Sequence, residues 1–346
     1  MDPPRVSIII LNWNGWRDTI ECLESLYQLE YPNYNVIVLD NGSVDDSVSN
    51  LEMYAEGKIE VKSKFVKFSM SNKPIPVIQH KANETDGTES ERMKMGALGS
   101  NRSLILLRSG KNLGYAEGNN VGMRFALRVF DSDYILLLNN DLVVAPDFLD
   151  QMISAAKAVP TAGIFSPKIY LYDQPERIQS TWNRVQLARG STFLAGEGEI
   201  DQGQFDEITE TDYSPGVCFL IRRATIDSIG LFDSGFFCYW EETDYCFRAR
   251  KAGIKSIYVP KARIWHKVSQ SANKIDGFFL YYITRNRFWF TKRNASPRQY
   301  SSFVIYFFTV ELWKSLLTLI AGRSSAQILK SYLRGVLDGI KTGSER

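Results

Sequence analysis

YILLLNNDLVV, residues 134–144, joins the most apolar run of the chain to three polar residues, and this junction decides the fold. Tyr134–Leu138 is continuously apolar rather than alternating, which is typical of a strand covered by helices on both faces of a parallel sheet. In open sheets of this type, ligands bind just beyond the carboxyl ends of the strands. Asn139-Asn140-Asp141 is therefore predicted to lie at the edge where a ligand binds.

Other apolar runs predict neighbouring strands, at Val6–Leu11, Asn35–Leu39 and Leu104–Leu107. Helical periodicity at Trp16–Leu29 and Ala116–Phe130 separates these runs. The pattern predicts an α/β fold, a Rossmann-like mixed sheet with helices on both faces. No G-x-G-x-x-G follows the first run, which argues against a dinucleotide-dependent oxidoreductase.

The second half of the chain is predicted to complete the sheet and build the acceptor side of a cleft. Its predicted strands and helices are Gly216–Ile221, Arg223–Ile229, Glu241–Ala252 and Ser256–Val259. Residues 58–103 are rich in small and polar side chains and are predicted to be a surface insertion. We expect one domain over residues 1–270, followed by a helical tail over residues 271–346.

The predicted tail contains a long apolar stretch, Ser301–Ile320. Glu311 and Lys314 lie in its middle, and each would cost ~2.5–3.5 kcal/mol at the centre of a bilayer. We therefore predict a helix that lies in a membrane interface or packs on a partner, rather than one that spans the membrane. Gln327–Ile340 is amphipathic and is predicted either to contact a membrane surface or to pack as an ordinary helix.

The overall composition is ordinary for a folded protein and argues against a nucleic-acid-binding protein. Lys and Arg number 41 and Asp and Glu 39, a formal net charge of +2, so the dense positive field that neutralises phosphate backbones is not expected. The four cysteines lack the paired spacing of a zinc ribbon and are too few for a disulfide scaffold. With no signal-peptide pattern in MDPPRVSIII, we expect a cytoplasmic location, peripheral at the cytoplasmic face of a membrane.

Polar residues that follow the predicted strands are candidates for binding a nucleotide. Asp40, in LDNGSVDDS, could accept hydrogen bonds from a base or a ribose, although the same residues suit an Asx turn and a helix cap. KNLGYAEGNN sets glycines and amides at a helix start, where free backbone N–H groups favour anions, and it also suits an ordinary loop and cap. The residues predicted to bind this nucleotide are Asn12, Asn14, Asp40, Ser43, Asn112, Gly114, Asn119, Asn140 and Asp141.

Acidic residues and one histidine predict a metal site and a general base. Asp141 could hold Mg²⁺ or Mn²⁺ together with a diphosphate, and His266 could complete the metal shell. Glu241, Glu242 and Asp244 crowd one turn at a helix start. The helix dipole alone would favour these charges, but their repulsion would raise the pKa of at least one of them toward the range useful for a base.

Seven segments, taken in order, resemble the motif series of glycosyltransferase family 2, in the branch that includes rhamnosyltransferase-like enzymes. They are VSIIILNWNG, LDNGSVDDS, NLGYAEGNN, LLLNNDLVV, GVCFLIRR, GLFDSGFFCYWEETDYCFRARKAG and VPKARIWHKVSQS. The resemblance covers about residues 5–270 and implies a GT-A fold. It further implies single-displacement, inverting transfer of a hexosyl or rhamnosyl group. The donor would be a UDP-, dTDP- or GDP-linked sugar, and the acceptor a hydroxyl of a glycan or a lipid-linked molecule.

This resemblance also implies roles for single residues. Asp40 would bind the nucleoside, Asp141 the metal and the diphosphate, and His266 the metal, while Glu242 would be the base. Two positions depart from the family pattern. Asn139 stands where many members have the first acid of Asp-x-Asp, and Glu241-Glu242 stands where Glu-Asp is frequent, so the choice between these two acids stays open.

Two other functions are compatible with the sequence. A catalytically silent nucleotide-sugar-binding or scaffold module would keep the nucleotide pocket and anchor an assembly through the tail. A nucleotidyltransferase would also use a nucleotide and a metal, but the glycine- and lysine-rich loop that holds a triphosphate does not follow the first strand. The sequence leaves open whether the chain forms a homo-oligomer.

Overall fold

The computed structural model of the chain describes residues 3–82, 103–267, 277–322 and 325–341. The strands are β1 (Val6–Asn12), β2 (Tyr34–Asp40), β3 (Val77–Lys81), β4 (Leu104–Arg108), β5 (Tyr134–Leu138), β6 (Leu142–Val144), β7 (Ala162–Leu171), β8 (Ile178–Ser180), β9 (Asn183–Gln186), β10 (Ser191–Leu194), β11 (Thr209–Thr211), β12 (Cys218–Arg222) and β13 (Lys255–His266). The helices are α1 (Trp16–Leu26), α2 (Ser47–Ala55), α3 (Gly114–Phe130), α4 (Phe148–Ala158), α5 (Arg223–Ile229), α6 (Glu241–Lys251), α7 (Phe278–Asn294), α8 (Pro297–Tyr306), α9 (Leu312–Ala321) and α10 (Ala326–Lys341).

One mixed sheet organises the described residues. Its order is β11-β13-β7-β12-β5-β1-β2-β4-β3, with β6 paired to β13 and β8 to β7. The strands β5, β1, β2, β4 and β3 are parallel, whereas β12 runs antiparallel to both β5 and β7. Because the chain reverses direction at β12, the sheet has a parallel half and a mixed half that meet at β5.

The continuous apolar runs form strands with both faces buried, as the sequence predicts. Alternate residues of β1, such as Ile8 and Ile10, belong to one core, which packs under α1, α2 and α4. Ile9 belongs to the other core, under α3, α5 and α6. Both cores consist of closely packed aliphatic and aromatic side chains, so every core strand must be apolar on both faces.

The sheet extends further at one edge than the sequence analysis predicts. Val77–Lys81, inside the predicted insertion 58–103, forms β3 and pairs in parallel with β4. Val61 and Ile75 are also buried in the core under α1 and α2. This part of the predicted insertion is therefore an integral edge of the fold; the rest of it, residues 83–102, lies outside the described residues. The prediction missed β3 because VIQHK is partly polar, as an edge strand can be.

The C-terminal helices pack on each other around a small aromatic core. Phe288 of α7 contacts the rings of Phe303 and Phe307 at centroid distances of 5.0 and 4.8 Å. A π-helical turn over Phe307–Glu311 joins α8 to α9, so the predicted stretch Ser301–Ile320 is one bent helical unit. Glu311 is turned toward the protein, where it pairs with Arg287 of α7.

Candidate active site

A cavity of about 380 Å³ opens where β1 and β5 end and β12, α3 and α6 begin. This size is within the usual range for small-molecule sites. The predicted site residues that line it are Asn112, Gly114, Asn140, Asp141, Glu241, Glu242 and His266. Those that do not border it are Asn12, Asn14, Asp40, Ser43, Asn119 and Asp244. The predicted metal residues and the predicted base therefore share one cavity.

Strand pairing brings His266 beside Asp141. Asp141 directly precedes β6, which pairs with the end of β13 so that His266 lies opposite Leu142. The backbone N–H of Lys267 donates to the Asp141 carbonyl over 2.9 Å, which fixes this junction. His266 Nε2 then lies 3.1 Å from Asp141 Oδ1. Burial pushes the pKa of Asp141 up, but the hydrogen bond and charge of His266 outweigh it and lower the pKa below its usual value.

The second imidazole nitrogen of His266 shows that this pair fits a divalent cation. Nδ1 lies 2.9 Å from Oε1 of Gln179, an acceptor, so Nδ1 carries the proton in a neutral ring. A metal ion would take the place of the hydrogen bond between Nε2 and Asp141, with the Nε2 lone pair and a carboxylate oxygen as its ligands. No cluster of three or more His, Cys, Asp or Glu suited to a metal occurs in the described parts of the chain. Further ligands would have to come from a bound diphosphate and water.

Asp40 and its neighbours support the cavity rather than line it. Asn12 Nδ2 donates to Asp40 Oδ1 and to Ser43 Oγ, both over 3.1 Å, and all but 4% of the Asp40 surface is buried. Asn14 Oδ1 accepts from the backbone of Val44 over 2.8 Å. These bonds tie the loop after β1 to the loop after β2. The structure places Asn12 and Asp40 side by side at the ends of β1 and β2, whereas their contact with a ligand stays a prediction.

The loop before α3 reaches the cavity through Asn112 and Gly114. Asn41 binds this loop: its Oδ1 accepts from Leu113 N over 2.9 Å, and its Nδ2 donates to the Gly114 carbonyl over 3.1 Å. Asn119 instead bonds within α3, where its Nδ2 donates to the carbonyl of Tyr115, four residues earlier, over 3.0 Å. Asn41, which the sequence analysis did not select, therefore replaces Asn119 as a residue facing the cavity.

The first turn of α6 places two of its three acids in the cavity. Glu241 and Glu242 line it, and Oε2 of each is buried without a hydrogen-bond partner among the described residues. Asp244 turns to the opposite side of the helix, where its carboxylate pairs with Arg248 Nε at 3.1 Å. Asp244 is thus bound to its own helix, and its predicted catalytic role does not fit this position.

Burial raises the pKa of both glutamates. For Glu241 the cost of burial comes first, and the negative charge of Glu242 raises its pKa further. Burial also raises the pKa of Glu242, but hydrogen bonds from the backbone and from the Thr243 hydroxyl partly offset it. The pair therefore keeps one proton on Glu241 while Glu242 ionises first, so Glu242 is the better candidate for the proton acceptor.

A strained loop, Phe236–Trp240, leads into these glutamates. Phe237 has φ +66° and ψ −61°, and Cys238 N donates to the Phe236 carbonyl over 2.8 Å, which is the rarer form of γ-turn. Tyr239 and Trp240 also have positive φ, at +67° and +74°. Such conformations cost about 1–3 kcal/mol each in residues other than glycine and persist only where the surroundings enforce them.

The loop is packed tightly against the start of α3. The backbone N–H of Ala116 donates to the Phe237 carbonyl over 3.0 Å. Gly114 has φ +77°, and a Cβ built there would lie 2.6 Å from atoms of Phe237. The glycine of NLGYAEGNN is therefore required both by its backbone conformation and by the close approach of the aromatic loop.

Aromatic side chains add to the cavity wall at positions that the sequence analysis did not select. Trp13, 38% exposed, lines it at the end of β1, and Phe278 of α7 lines it beside Phe237 and Tyr239. Trp13 lies within the polar segment after β1, where a large aromatic side chain is a usable signal. No motif in the sequence marks Phe278 or Gln179, since each comes from a distant element.

Comparison with known proteins gives consistent results. A low-salt glycan biosynthesis hexosyltransferase of Haloferax volcanii is 26% identical over 52% of this chain and 57% of its own length. An N-acetylglucosaminyl-diphospho-decaprenol L-rhamnosyltransferase of Mycobacterium tuberculosis is 25% identical over 59% of this chain and 70% of its own. The chain thus spans little more than half of the first of these relatives.

Solved structures with the same architecture include a mannosyltransferase of Pyrobaculum calidifontis in complex with GDP-Man and Mn²⁺. It covers 99% of this chain and 88% of its own length, with a TM-score of 0.56 and 14% identity. The likeness confirms the predicted GT-A fold. The family model for glycosyl transferase family 2 matches residues 7–73, and that for glycosyltransferase-like family 2 matches residues 83–290. Together they take in the cavity, the sheet apart from β3 and most of α7, and the chain belongs to glycosyltransferase family 2.

Proposed function

We propose that the chain transfers a sugar, with inversion, from a nucleoside-diphosphate sugar to a hydroxyl of a glycan or a lipid-linked acceptor. One observation carries this proposal: Asp141 and Glu242 line the same cavity, with His266 against Asp141. A pair of groups suited to a metal-bound diphosphate thus faces a carboxylate suited to removing a proton. The hexosyl and rhamnosyl transferases named above support the reaction class.

Asp141 and His266 would hold Mg²⁺ or Mn²⁺. Bound there with the donor, the ion would neutralise negative charge on the departing diphosphate. Asn112 and the N-terminus of α3 would face the same phosphates, because free backbone N–H groups at a helix start favour anions. Trp13, at the rim, offers an aromatic face on which a nucleobase could stack.

Glu242 would carry out the proton transfer of the reaction. As the acceptor oxygen forms its bond to the anomeric carbon, the bond from that carbon to the diphosphate oxygen breaks, and the hydroxyl proton passes to the Glu242 carboxylate. The products are the glycoside, the nucleoside diphosphate and a protonated Glu242. A single displacement of this kind inverts the anomeric centre. Glu241, already protonated, cannot accept this proton and instead lowers the pKa of its neighbour through a hydrogen bond to it.

The tail supports a site of action at a membrane surface. Exposed apolar side chains follow one another along α8, the π-helical turn and α9: Ile305, Phe308, Trp313, Leu317 and Ile320. Pro297–Ala321 is long and apolar enough to cross a membrane, and 11% of its most apolar stretch is buried. Glu311 is paired with Arg287, so its charge does not face outward from the apolar stripe.

Charge is also segregated toward the tail. Residues 277–341 contain ten Lys and Arg against two Asp and Glu, a formal +8, so the remaining residues carry −6 within the total of +2. Basic and apolar residues on one unit suit the surface of an anionic membrane. We therefore propose that the enzyme lies peripherally at the cytoplasmic face of a membrane. The four free cysteines are compatible with a reducing compartment.

A thermal-shift screen tests the donor proposal first. UDP, dTDP and GDP, each with Mn²⁺, Mg²⁺ or EDTA, would be added to the full chain, because a ligand that binds the folded state raises its apparent stability. Sugar transfer would then be measured with sugars linked to the nucleotide that binds. Binding without transfer or hydrolysis would favour the silent module, and release of pyrophosphate from a nucleoside triphosphate would favour a nucleotidyltransferase.

Asp141→Ala tests the metal assignment independently of turnover. We expect the affinity for that nucleoside diphosphate with Mn²⁺ to fall at least about tenfold by calorimetry. The Asp141 carboxylate is the only charged oxygen ligand that we propose the protein supplies. Asp150→Ala, a partly exposed acid on α4 away from the cavity, is the control and should bind normally. Equal affinity of wild type and Asp141→Ala with and without Mn²⁺ would contradict the assignment.

A further inference from the structure

A single amide on α7 fastens the loop that carries the two glutamates. Asn286 Nδ2 lies 2.9 Å from the Phe236 carbonyl oxygen, 2.7 Å from that of Cys238 and 2.8 Å from that of Tyr239. Asn286 itself is fully buried. An amide nitrogen has two hydrogens, so three carbonyls share them. The curved loop thus wraps around one point on the neighbouring helix.

Arg285 fixes the orientation of this amide and adds to the grip. Its Nε donates to Asn286 Oδ1 over 2.8 Å, which leaves the Nδ2 hydrogens directed at the loop. Its Nη2 donates to the carbonyls of Gly235 and Phe236 over 2.8 and 2.9 Å. These two adjacent residues of α7 therefore donate hydrogen bonds to the carbonyls of three loop residues and of Gly235, just before the loop. Both donor side chains lie outside the loop.

The loop needs such a partner because its own conformation is unfavourable. Positive φ values at Phe237, Tyr239 and Trp240 turn the backbone so that its carbonyls converge, and buried carbonyls without donors are costly. Without Asn286 the loop would gain by relaxing to ordinary dihedrals. Relaxation would shift the start of α6, because Trp240 is the residue immediately before Glu241.

We propose that Asn286 is a positioning residue for sugar transfer: by holding Phe236–Trp240, it aims Glu241 and Glu242 into the cavity. Its catalytic consequence rests on the proposed function. The groups assigned to the donor, Asp141 and His266, come from β6 and β13 and do not contact Asn286. Loss of Asn286 should therefore lower the turnover number much more than donor affinity.

Asn286→Leu is the direct test, because leucine has the same number of non-hydrogen side-chain atoms as asparagine and donates no hydrogen bond. We expect kcat to fall about 100-fold or more, with the donor KM within about threefold of wild type. Hydrogen–deuterium exchange of peptides spanning residues 236–240 should become faster. Arg285→Met, at a half-buried position where folding is less at risk, should show the same pattern at a smaller size, about five- to tenfold in kcat.

Thr291→Val is the matched control on α7. Thr291 is fully buried, and its hydroxyl donates to the Arg287 carbonyl over 2.7 Å within the helix, away from the loop. This variant should keep both kcat and loop exchange. The proposal is overturned if Asn286→Leu and Arg285→Met retain wild-type kcat, or if both leave exchange at 236–240 unchanged. An inactive wild-type chain would sink the proposed function, whereas faster loop exchange in the variants would still establish the holding role.

Discussion

At the scale of single residues, Glu241 and Glu242 are adjacent in sequence and unequal in chemistry. Both lie at the start of α6, but only Glu242 has the Thr243 hydroxyl as a donor to its carboxylate. The charge of Glu242 makes ionisation of Glu241 harder, whereas a hydrogen bond with Glu241 favours the Glu242 carboxylate, so the pair releases its protons in two steps. The first proton leaves Glu242, which supports the proposal that this residue is the base.

Glu242→Gln should abolish transfer while donor binding persists. The amide keeps the size of the side chain but cannot take a proton, and general-base catalysis contributes about 10²–10⁴-fold to rate. Initial rates of transfer, with calorimetry for the nucleoside diphosphate, measure the two effects separately. Asp244→Asn is the control, because that side chain faces Arg248 outside the cavity. Near wild-type turnover in Glu242→Gln would move the base to Glu241.

The pH profile of kcat gives a second view of the same residue. A base acts only when deprotonated, and burial raises the pKa of Glu242, so activity should fall on the acidic side at a pH above the usual carboxyl range. Glu241→Met removes the carboxyl whose hydrogen bond lowers the pKa of Glu242, so this acidic limb should move to higher pH. An unchanged limb in that variant would show that the two carboxyls are not coupled.

The sequence indicated where residues lie in the fold best where a motif follows a strand directly. Asp141 and His266 were both predicted as metal ligands and meet at 3.1 Å, although 125 positions separate them. Asp40 was correctly placed at the sheet edge, but its side chain points into a hydrogen-bond network with Asn12. The direction of a side chain depends on neighbours from other elements, and the Asn286 contacts show the same dependence at a position that no motif marks.

At the scale of elements, the helical tail combines two surfaces on one unit. Its inner side supplies Asn286 and Arg285 to the active-site loop, and its outer side exposes the apolar stripe of α8 and α9. The π-helical turn at Phe307–Glu311 adds a residue between the two helices and directs Glu311 inward to Arg287. The charge that argued against a membrane span thus serves the packing of the tail.

Replacing the outer stripe should weaken binding to membranes. For Trp313→Ser with Leu317→Ser, we expect sedimentation with phosphatidylglycerol-containing vesicles to fall about tenfold or more. These side chains are 59% and 67% exposed, and burying a large apolar side chain contributes about 1.5–3 kcal/mol. Phe193→Ser, at a 50% exposed position on β10 outside the tail, is the matched control. Wild-type sedimentation of the double variant would exclude this face as the contact.

Prediction of elements was accurate wherever hydrophobic periodicity was strong. The runs at Tyr134–Leu138 and Arg223–Ile229 match β5 and α5 at both ends. β13 extends to His266, well beyond the predicted Ser256–Val259. The prediction stopped short because the residues after Pro260 alternate between buried and exposed instead of forming one apolar run. β3 was missed for a related reason: an edge strand with one covered side has no continuous apolar signature.

At the scale of the whole molecule, the active site reduces the stability of the fold. Glu241 is 3% exposed and has a carboxyl oxygen without a partner, and burial raises its pKa above the value in the unfolded chain. Between the unfolded and folded pKa values the folded chain holds a proton that the unfolded chain has released. Stability therefore falls as pH rises through this interval, and above it the full penalty is present.

Glu241→Gln should consequently raise the melting temperature at neutral pH, because glutamine fills the same space without a charge. Each kcal/mol gained corresponds to a shift of about 2–4 °C or somewhat less in a chain of this size. The gain should shrink as pH is lowered to 4.5, the ordinary pKa of glutamate, because the unfolded chain then also takes up this proton. Calorimetric scans at pH 7.5 and pH 4.5 measure the difference, and a lower melting temperature at neutral pH would contradict the account.

The architecture as a whole could be predicted from the sequence, since apolar runs, helical periodicity and the order of motifs all indicate a GT-A sheet with helices on both faces. How the tail meets the active-site loop could not. That contact is made by polar side chains of α7 with backbone carbonyls, and backbone carbonyls are the same in every sequence. Only their positions in space reveal which side chain they will bind.

The fit of Phe237 over Gly114 bears on any attempt to exchange specificity between members of the family. Gly114 belongs to the segment proposed to face the donor phosphates, and Phe237 belongs to the loop that leads to the proposed base. No side-chain atom can be added at Gly114 without displacing the Phe237 ring. Chimeras that import either segment alone should therefore have a steric clash or a packing gap between the two segments. Grafting the two together, as a matched pair, is the route by which a new donor preference could be installed in this scaffold.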